Sequence, residues 1–295
     1  MVKLIKKNIN NNKAYYLKHN IRKNNKTESV EKYIGKNIPE DLEYLKIKFL
    51  ENIYIKKIQR IEELKEKINS RIKKLPLSVN IKEKKEKNII FIYNTNKIEG
   101  NTLSIREVKD LYEQNITPKN KNLKDTIETK NHLELISKLL SKKQEINNKN
   151  ILIWHKELFK DTKEDIAGKI RNYNVKISLS KFIPPTAIEL NYELKDFYKW
   201  YNKSNTKFNK ILLSCMVHLK FVSIHPFGDG NGRISRLIMN IILNNNNYPI
   251  FNIVCKNRNS YYKALENSQV ENNPTYFIKW FINNYIKSLE KDLIN

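Results

Sequence analysis

Residues 225–236 read HPFGDGNGRISR, and the rest of the fold can be built outward from this stretch. The chain has only six glycines, and three of them, Gly228, Gly230 and Gly232, lie within these twelve residues. Residues 212–224 before it and 234–243 after it are apolar and helical in pattern. The sequence therefore predicts two buried helices joined by a glycine-rich loop, which lies over the N-terminus of the second helix.

The predicted loop is suited to bind anions. The first backbone N–H groups of a helix have no intrahelical acceptor, and the helix dipole adds positive potential there. Glycine lets the backbone approach a phosphate closely and adopt a positive φ. Arg233 and Arg236 are three residues apart on adjacent helix positions, where two guanidiniums can clamp neighbouring phosphates. Because no Gly-Lys-Ser/Thr follows, the loop is not the ordinary nucleotide P-loop.

Three side chains in the loop have the chemistry of phosphoryl transfer. His225 titrates near neutrality and can accept a proton from an attacking hydroxyl. Asp229 offers hard oxygen ligands suited to Mg²⁺, and Asn231 can donate to charge that develops on phosphorus. Taken singly, the glycines are also typical of turns, and His225 is also typical of a helix C-cap. The combination favours a catalytic loop over a structural one.

The stretch resembles the signature of the Fic family, His-Pro-Phe-x-x-Gly-Asn-Gly-Arg-x-x-Arg, at every fixed position. The resemblance extends to residues 167–171, Val175 and the Pro184-Pro185 pair, which look like the flap region of the family. It continues in a downstream helix that contains Arg258, Tyr261, Tyr262 and Leu265. In total it covers roughly residues 85–285.

This resemblance implies a helical protein that binds ATP with Mg²⁺ and transfers AMP to a Tyr, Thr or Ser hydroxyl. The acceptor would be a target protein or the chain itself. His225 would be the general base, and Asp229 would hold Mg²⁺ between the α- and β-phosphates. The anion contacts implied are Gly228, Gly230, Asn231 (on the transferred phosphate), Gly232, Arg233 (β-phosphate) and Arg236 (γ-phosphate). The flap residues Lys176, Ile177, Ser178 and Leu179 would hold the target as an added strand.

Departures within the family favour AMP over other transferred groups. Phosphate-transferring relatives lack the second loop glycine and the arginine pair, whereas Gly232 and Arg233 are present here. The phosphocholine-transferring type has alanine at the first of these glycines, whereas Gly230 is present here. In-line displacement at the α-phosphorus requires a base, charge neutralisation and positioning, and the loop supplies all three.

Residues 95–101 read TNKIEGN and resemble the inhibitory motif that precedes the Fic core, Ser/Thr-x-x-x-Glu-Gly/Asn. The resemblance implies that Glu99 pairs with Arg236 and takes the guanidinium that the ATP γ-phosphate requires. In isolation, Glu99-Gly100 would equally mark the end of a helix. Some inhibited relatives remove AMP and use the same glutamate to place a water, so a de-AMPylase or a bifunctional enzyme is the alternative function.

The expected fold is mainly α, a Fic-type helical bundle with a short β-hairpin flap and a small N-terminal β-hairpin element. The hairpin is predicted at 13–38, with strands at Ala14–Arg22 and Ser29–Ile34 and a turn at Lys23–Lys26. Alternation at 170–186 predicts a short hairpin or an extended flap. Ser104 and Glu107 form the pattern of a capping box. Helices are predicted at 39–74, 81–98, from 104 onward, and at about 123–142, 149–160, 188–203, 207–224, 234–246, 259–270 and 274–292.

Three regions are expected along the chain. Residues 1–38 form the small β element, 39–110 a helical region that carries the inhibitory motif, and 111–295 the catalytic core with the C-terminal helices. No apolar run is long enough to span a bilayer, and no signal peptide is apparent. Cys215 and Cys255 have no metal or redox spacing, which favours reduced thiols and a cytoplasmic location.

The net charge of +25 raises the question of a nucleic-acid partner. Lys, Asn and Ile are over-used along the whole chain, however, and no basic patch is interleaved with stacking aromatics. A nucleic-acid-associated regulator is therefore kept as the less favoured alternative, and a homodimer remains open. His132 and His155 have no ligand partners at metal spacing. His218 lies seven residues before His225 on a similar helix face, where it could support the site, but a core position is the favoured interpretation.

Overall fold

The structure is a computed structural model that describes residues 2–9, 12–23 and 26–294. A small antiparallel sheet at the N-terminus precedes a helical body. The helices are α1 Leu42–Ile53, α2 Ile55–Lys74, α3 Leu77–Ile98, α4 Ile105–Gln114, α5 Leu123–Leu140, α6 Asn148–Phe159, α7 Leu190–Asn205, α8 Lys210–Ile224, α9 Asn231–Asn245, α10 Arg258–Val270 and α11 Thr275–Ile294. The mainly helical fold predicted from the sequence is confirmed.

The N-terminal sheet has three strands rather than two. β1 (Lys3–Ile9), β2 (Asn12–Lys23) and β3 (Lys26–Gly35) pair antiparallel in that order. The predicted hairpin corresponds to β2 and β3, and its turn includes residues 24 and 25, which lie outside the described residues. The sequence analysis missed β1 because its side chains are mostly exposed and lysine-rich, so they show no apolar alternation.

The two faces of this sheet differ. Leu17 is fully buried, so one face is covered. Elsewhere on the sheet, the rings of Tyr16 and Tyr33 lie 5.4 Å apart, and the Lys7 ammonium lies 4.8 Å from the centre of the Tyr16 ring. Strand pairing thus brings together residues that are distant in sequence.

The region predicted as one helix from Pro39 to Lys74 is two helices. α1 begins at Leu42, and the break before α2 falls at Tyr54, where φ is −95° and ψ is 9°. Leu50, Tyr54 and Ile58 are all buried and keep a spacing of four across the break. Apolar periodicity therefore gives no sign of it.

The core is built around α8 and α9, which form the most extensive helix pair and are buried along most of their lengths. The last turn of α3 is also buried, which is unusual for a sequence as polar as Asn94-Thr95-Asn96. Gly100 ends this segment with φ of +94°, a conformation that glycine adopts without strain. α4 begins with the predicted capping box between Ser104 and Glu107. These elements place the TNKIEGN segment, residues 95–101, beside the loop between α8 and α9.

The segment at 170–186 is extended and forms no hairpin. All of its residues are described, and none of them is in a strand. Pro184 and Pro185 have no backbone N–H to donate to a ladder, and Leu179 turns the chain with φ of +59°. The prediction of a β-hairpin flap was wrong, and the extended alternative is the one observed.

Two further observations concern the chain as a whole. Within the described ranges, no helix combines the length and apolarity that crossing a membrane requires. Cys215 and Cys255 are free thiols, and Cys215 is buried. The division into three regions stays a prediction, and its boundary at residue 110 falls inside α4.

Candidate active site

The HPFGDGNGRISR stretch links α8 to α9 by a short loop. α8 ends at Ile224, and His225 follows as its C-cap in the left-handed conformation, with φ of 52° and ψ of 55°. α9 begins at Asn231, after Gly230 with φ of +81°, and so starts three residues before the predicted position 234. The N–H groups in the first turn of α9 have no intrahelical acceptor and face the loop, as the sequence predicts for an anion site.

His225 occupies the helix C-cap position that the sequence allowed, and its role as a base stays a prediction. It caps α8, and its Nδ1–H donates to the carbonyl oxygen of Val222 at 3.1 Å. That bond places the lone pair of the neutral ring on Nε2. Burial lowers the pKa of His225 below its ordinary value of 6.5, against the opposing effect of the Val222 hydrogen bond. The imidazole is therefore neutral at pH 7, the state that a general base requires.

The side chain of Asn231 holds the loop in shape. Its Oδ1 accepts from the Phe227 N–H at 2.9 Å, and its Nδ2 donates to the Phe227 carbonyl at 2.8 Å. Asn231 is only 2% exposed. Nδ2 carries two hydrogens, and only one of them is used by the Phe227 carbonyl. Donation by Asn231 to a transferred phosphate stays a prediction, and the backbone N–H groups in the first turn of α9 are further donors beside it.

The guanidinium of Arg236 is buried and held from three sides. Its Nε donates to Thr95 Oγ1 at 2.6 Å, and its Nη2 donates to the Thr95 carbonyl at 3.1 Å and to Glu99 Oε1 at 2.6 Å. Its Nη1 donates to the Tyr261 hydroxyl at 3.3 Å. Burial disfavours the charged guanidinium, but the Glu99 carboxylate more than compensates, so the pKa of Arg236 is raised. The contact between Glu99 and Arg236 that the resemblance implied is present.

Gly232 explains how the Glu99 carboxylate reaches this position. A Cβ atom at residue 232 would lie 2.3 Å from Glu99 Oε1 and 3.2 Å from Arg236 Nη1. The carboxylate therefore rests directly on the backbone of the first turn of α9. A carboxylate in this place is itself an anion at the helix N-terminus, where the helix dipole stabilises it.

Asp229 and Arg233 belong to a second charged cluster. Asp229 Oδ2 accepts from Lys163, and Asp229 Oδ1 lies 3.5 Å from Arg233 Nη2. Arg233 Nη1 also donates to Glu128 Oε2 on α5, and its guanidinium stacks 4.6 Å from the centre of the Phe159 ring. Burial alone would raise the pKa of Asp229. The positive charges of Arg233 and Lys163 have a larger, opposite effect, and the pKa is lowered to about 2. Asp229 is thus ionised at any physiological pH.

The sequence analysis missed His155 as a part of the site. His155 is fully buried on α6; its Nδ1 accepts from the Gly168 N–H, and its Nε2 donates to the Asp229 carbonyl, both at 2.9 Å. Its ring stacks on Phe227 at 3.8 Å. Burial lowers the pKa of His155 to about 4. In the sequence it has no ligand partners at metal spacing, and no spacing links it to a loop 70 residues away.

Arg171 connects the flap to the loop. Its Nε donates to the His225 carbonyl at 2.9 Å, Nη1 to the Tyr173 carbonyl at 2.8 Å and Nη2 to the Pro185 carbonyl at 2.6 Å. The side chain is 4% exposed. Its only sequence signal was its place at the end of the AGKIR segment. Arg171 thereby ties both ends of the flap to the backbone of His225.

The predicted target-binding residues lie in the extended flap. Lys176, Ser178 and Leu179 are exposed, Leu179 completely, and Ile177 is half-buried. Beyond them, Glu266 of α10 accepts from the backbone N–H of Lys181 at 2.6 Å. The flap therefore presents exposed extended backbone, anchored at its far end to the helical body.

The remaining histidines have core surroundings. His218 Nε2 contacts the Tyr261 hydroxyl at 2.9 Å, and His132 Nδ1 donates to Asn96 Oδ1 at 3.0 Å. Burial lowers the pKa of both imidazoles. Across the part of the chain that is described, no group of three or more His, Cys, Asp or Glu residues is arranged to hold a metal ion.

Comparison with known proteins gives the context of this geometry. The model of the Fic/DOC family matches residues 145–243. The chain is 28% identical over 222 residues to protein adenylyltransferase fic-1 of Caenorhabditis elegans, which covers 71% of this chain and 42% of that protein. It is 31% identical over 193 residues to protein adenylyltransferase fic-1 of Caenorhabditis briggsae, which covers 61% and 36%. The chain thus spans about two fifths of the length of these curated relatives.

Solved structures share the fold. A Fic-domain-containing signalling protein from Bacteroides thetaiotaomicron aligns with a TM-score of 0.72 at 24% identity, over 79% of this chain and 95% of that one. Fic-1 of C. elegans aligns with a TM-score of 0.72 at 23% identity, over 85% of this chain and 75% of that one. At these identities the likeness establishes the architecture.

Proposed function

We propose that this chain, whose residues 145–243 form a Fic/DOC family domain, is a protein adenylyltransferase held in an inhibited state. It would transfer AMP from ATP to a hydroxyl side chain of a target protein or of itself. The observation that carries the proposal is the Glu99 carboxylate, which rests on Gly232 and Arg236 at the N-terminus of α9. A site that holds an internal carboxylate in this way has the donors for a phosphate.

The loop residues supply the chemistry of the transfer. Neutral His225 would accept the proton of the attacking hydroxyl at Nε2, because Nδ1–H is committed to Val222. The first-turn N–H groups of α9 would bind the phosphate oxygens, and Arg233 and Arg236 would contact the outer phosphates. The relatives that share the domain carry the name protein adenylyltransferase, which supports transfer to a protein acceptor.

Asp229 fits the Mg²⁺ that such a reaction uses. Its pKa of about 2 keeps it ionised, and 44% of its side chain is exposed at the loop. Mg²⁺ is commonly held by one or two carboxylates together with substrate phosphates, so a single carboxylate beside an anion site is an adequate protein contribution. When bound, the ion would neutralise charge on the phosphates.

The inhibited state follows from competition for one guanidinium. While Glu99 accepts from Arg236 Nη2, that donor is closed to a γ-phosphate, and the carboxylate would repel the triphosphate. ATP would then bind in a position that does not present its α-phosphorus for in-line attack.

The test is a labelling assay with α-³²P-ATP and Mg²⁺ on the parent protein, Glu99→Gly, and Glu99→Gly combined with His225→Ala. Strong self-labelling in the single variant alone would support AMP transfer, inhibition and the base together. Measurable ATP binding without labelling in any variant, including assays with added cell proteins as acceptors, would contradict the proposal.

A second candidate is removal of AMP, alone or in a bifunctional enzyme. The observation in its favour is that the Glu99 carboxylate is 31% exposed beside the loop, where it can orient a water. Glu99→Gly protein labelled with ³²P-AMP would be incubated with unlabelled parent or with Glu99→Gln. Release of AMP by the parent alone would favour this function, and equal retention with both would contradict it.

Dimer formation, a nucleic-acid partner and a cytoplasmic location stay predictions.

A further inference from the structure

The Asp229 carboxylate is enclosed by cations of the chain itself. Lys163 contacts Oδ2, and Arg233 Nη2 lies 3.5 Å from Oδ1. The Gly230 N–H also donates to Oδ1. The Lys163 side chain is only 18% exposed, so this is an inward-facing ammonium rather than a solvated surface pair. An incoming metal ion meets a carboxylate whose two oxygens are already engaged.

Lys163 has a second carboxylate within reach. Its ammonium lies 3.6 Å from Glu128 Oε1, and Glu128 is 5% exposed. The other oxygen of Glu128 accepts from Arg233. The aliphatic stem of lysine is flexible, so the ammonium can lengthen one contact and shorten the other by a small rotation. Lys163 therefore lies between two carboxylates, only one of which faces the nucleotide site.

The environment of Lys163 also restricts where the ammonium can go. It lies 4.8 Å from the centre of the Phe159 ring, which favours a cation in that position. The same ring stacks on the Arg233 guanidinium. The Phe159 ring and the Glu128 carboxylate together stabilise the Lys163 ammonium in this pocket whether or not it is paired with Asp229.

We propose that Lys163 is a resident counter-cation that competes with a divalent metal for Asp229 and shifts to Glu128 when the metal binds. The inference rests on the proposed function only in taking Asp229 as the metal ligand. An ammonium and a divalent cation repel each other, so a metal ion on Asp229 would weaken the contact of Lys163 with the same carboxylate and favour its contact with Glu128. The structure thus assigns to Lys163 a role in setting the metal concentration that the site requires. Without metal, Lys163 neutralises the charge of the Asp229 carboxylate.

The experiment measures metal binding directly, in the Glu99→Gly background. Free Mn²⁺ is followed by electron paramagnetic resonance, with α,β-methylene-ATP present so that AMP transfer cannot occur. Lys163→Met removes the charge and keeps the stem, and Lys163→Gln is a second neutral variant. Lys160→Met is the matched control, because Lys160 pairs with Glu157 at 3.0 Å and its side chain is 41% exposed.

Both neutral variants at 163 are expected to bind Mn²⁺ about tenfold more tightly than the parent, which corresponds to about 1.4 kcal/mol. Lys160→Met is expected to match the parent. Unchanged or weaker Mn²⁺ binding in the folded 163 variants overturns the proposal, since Lys163 would then assist rather than oppose the metal.

One further variant separates this inference from its premise. Asp229→Asn is expected to abolish the Mn²⁺ binding seen in the parent. If binding persists in Asp229→Asn, the metal lies elsewhere, and the assignment of Asp229 fails together with the role of Lys163. Binding that depends on Asp229 but does not respond to Lys163 leaves the proposed function intact and rejects the inference alone.

Discussion

Glu99 Oε1 and Arg236 Nη2 lie 2.6 Å apart, although 137 positions separate the two residues. The pair joins the end of α3 to the first turns of α9, and Thr95 of α3 accepts from the same guanidinium. Arg236 is 1% exposed, so removal of Glu99 would leave a buried cation at the proposed nucleotide site. Loss of one partner of such a pair is expected to create affinity for another anion.

In a series of substitutions at Glu99, self-labelling activity should therefore depend on the charge and the length of the side chain at this position. Glu99→Gln keeps the shape but loses the charge, and a hydrogen bond to a charged group contributes about 1.5–3 kcal/mol. We expect self-labelling to increase about tenfold or more in Glu99→Gln and at least as much in Glu99→Gly. Glu99→Asp, which keeps the charge on a shorter side chain, is expected to lie between Gln and the parent. Equal labelling across the series would remove charge competition as the cause of inhibition.

Gly232→Ala should displace the Glu99 carboxylate from Arg236 without opening the anion site to a nucleotide. The added methyl would lie 2.3 Å from Glu99 Oε1, so the carboxylate must move, but the methyl also covers the anion site. We expect a lower melting temperature and no gain in labelling. In the Glu99→Gly background the same substitution should cost less stability, because only the 3.2 Å approach to Arg236 Nη1 remains. A double-mutant cycle on melting temperature measures this coupling, and strict additivity would contradict it.

Tyr261 is expected to position Arg236 for the nucleotide. Its hydroxyl accepts from Arg236 Nη1 at 3.3 Å and contacts His218 Nε2 at 2.9 Å. In the Glu99→Gly background, Tyr261→Phe should raise the KM for ATP about fivefold with a smaller effect on kcat, since one net hydrogen bond contributes about 1 kcal/mol.

Tyr262→Phe is the matched control for this substitution. The Tyr262 hydroxyl donates to the Ile98 carbonyl at 3.4 Å, whereas the hydroxyl that accepts from Arg236 is that of Tyr261. A KM that rises equally in both variants would point to a general loosening of α10 rather than to Arg236.

His155 should make stability depend on pH. Burial lowers its pKa from 6.5 to about 4, so the unfolded chain binds the extra proton more readily than the folded protein does. The contribution is fully present above pH 6.5 and is lost as pH falls from 6.5 toward about 4, and it amounts to about 3 kcal/mol by linkage. His155→Gln, which keeps a donor for the Asp229 carbonyl, should flatten this part of the unfolding free-energy profile. A profile of unchanged slope would be inconsistent with a neutral buried imidazole.

Local patterns predicted much of this molecule correctly. Helical periodicity located most of the helices, the glycine-rich loop was predicted between two buried helices, and Ser104 with Glu107 predicted the capping box. The contact between Glu99 and Arg236 came from a resemblance between motifs. No spacing rule links two residues on separate helices.

The features that were missed depend on tertiary neighbours. Glu128 and Lys163 look like ordinary surface charges in the sequence, and their role arises only because α5 and the segment after α6 meet at the loop. β1 lacks alternation because little of it is buried. The bonds from the Asn231 carboxamide to the Phe227 backbone, which hold the loop in shape, also have no signal in the sequence.

Arg171 has a mechanical consequence. One rigid guanidinium holds the carbonyl groups of Tyr173 and Pro185 at the two ends of the flap, and that of His225 at the loop. A target strand that displaces the flap on binding would also move the Arg171 guanidinium, and through it the backbone carbonyl of His225. Binding of the target and orientation of the His225 imidazole would then be coupled. A target that binds the flap incorrectly would leave the imidazole in the wrong orientation for proton transfer.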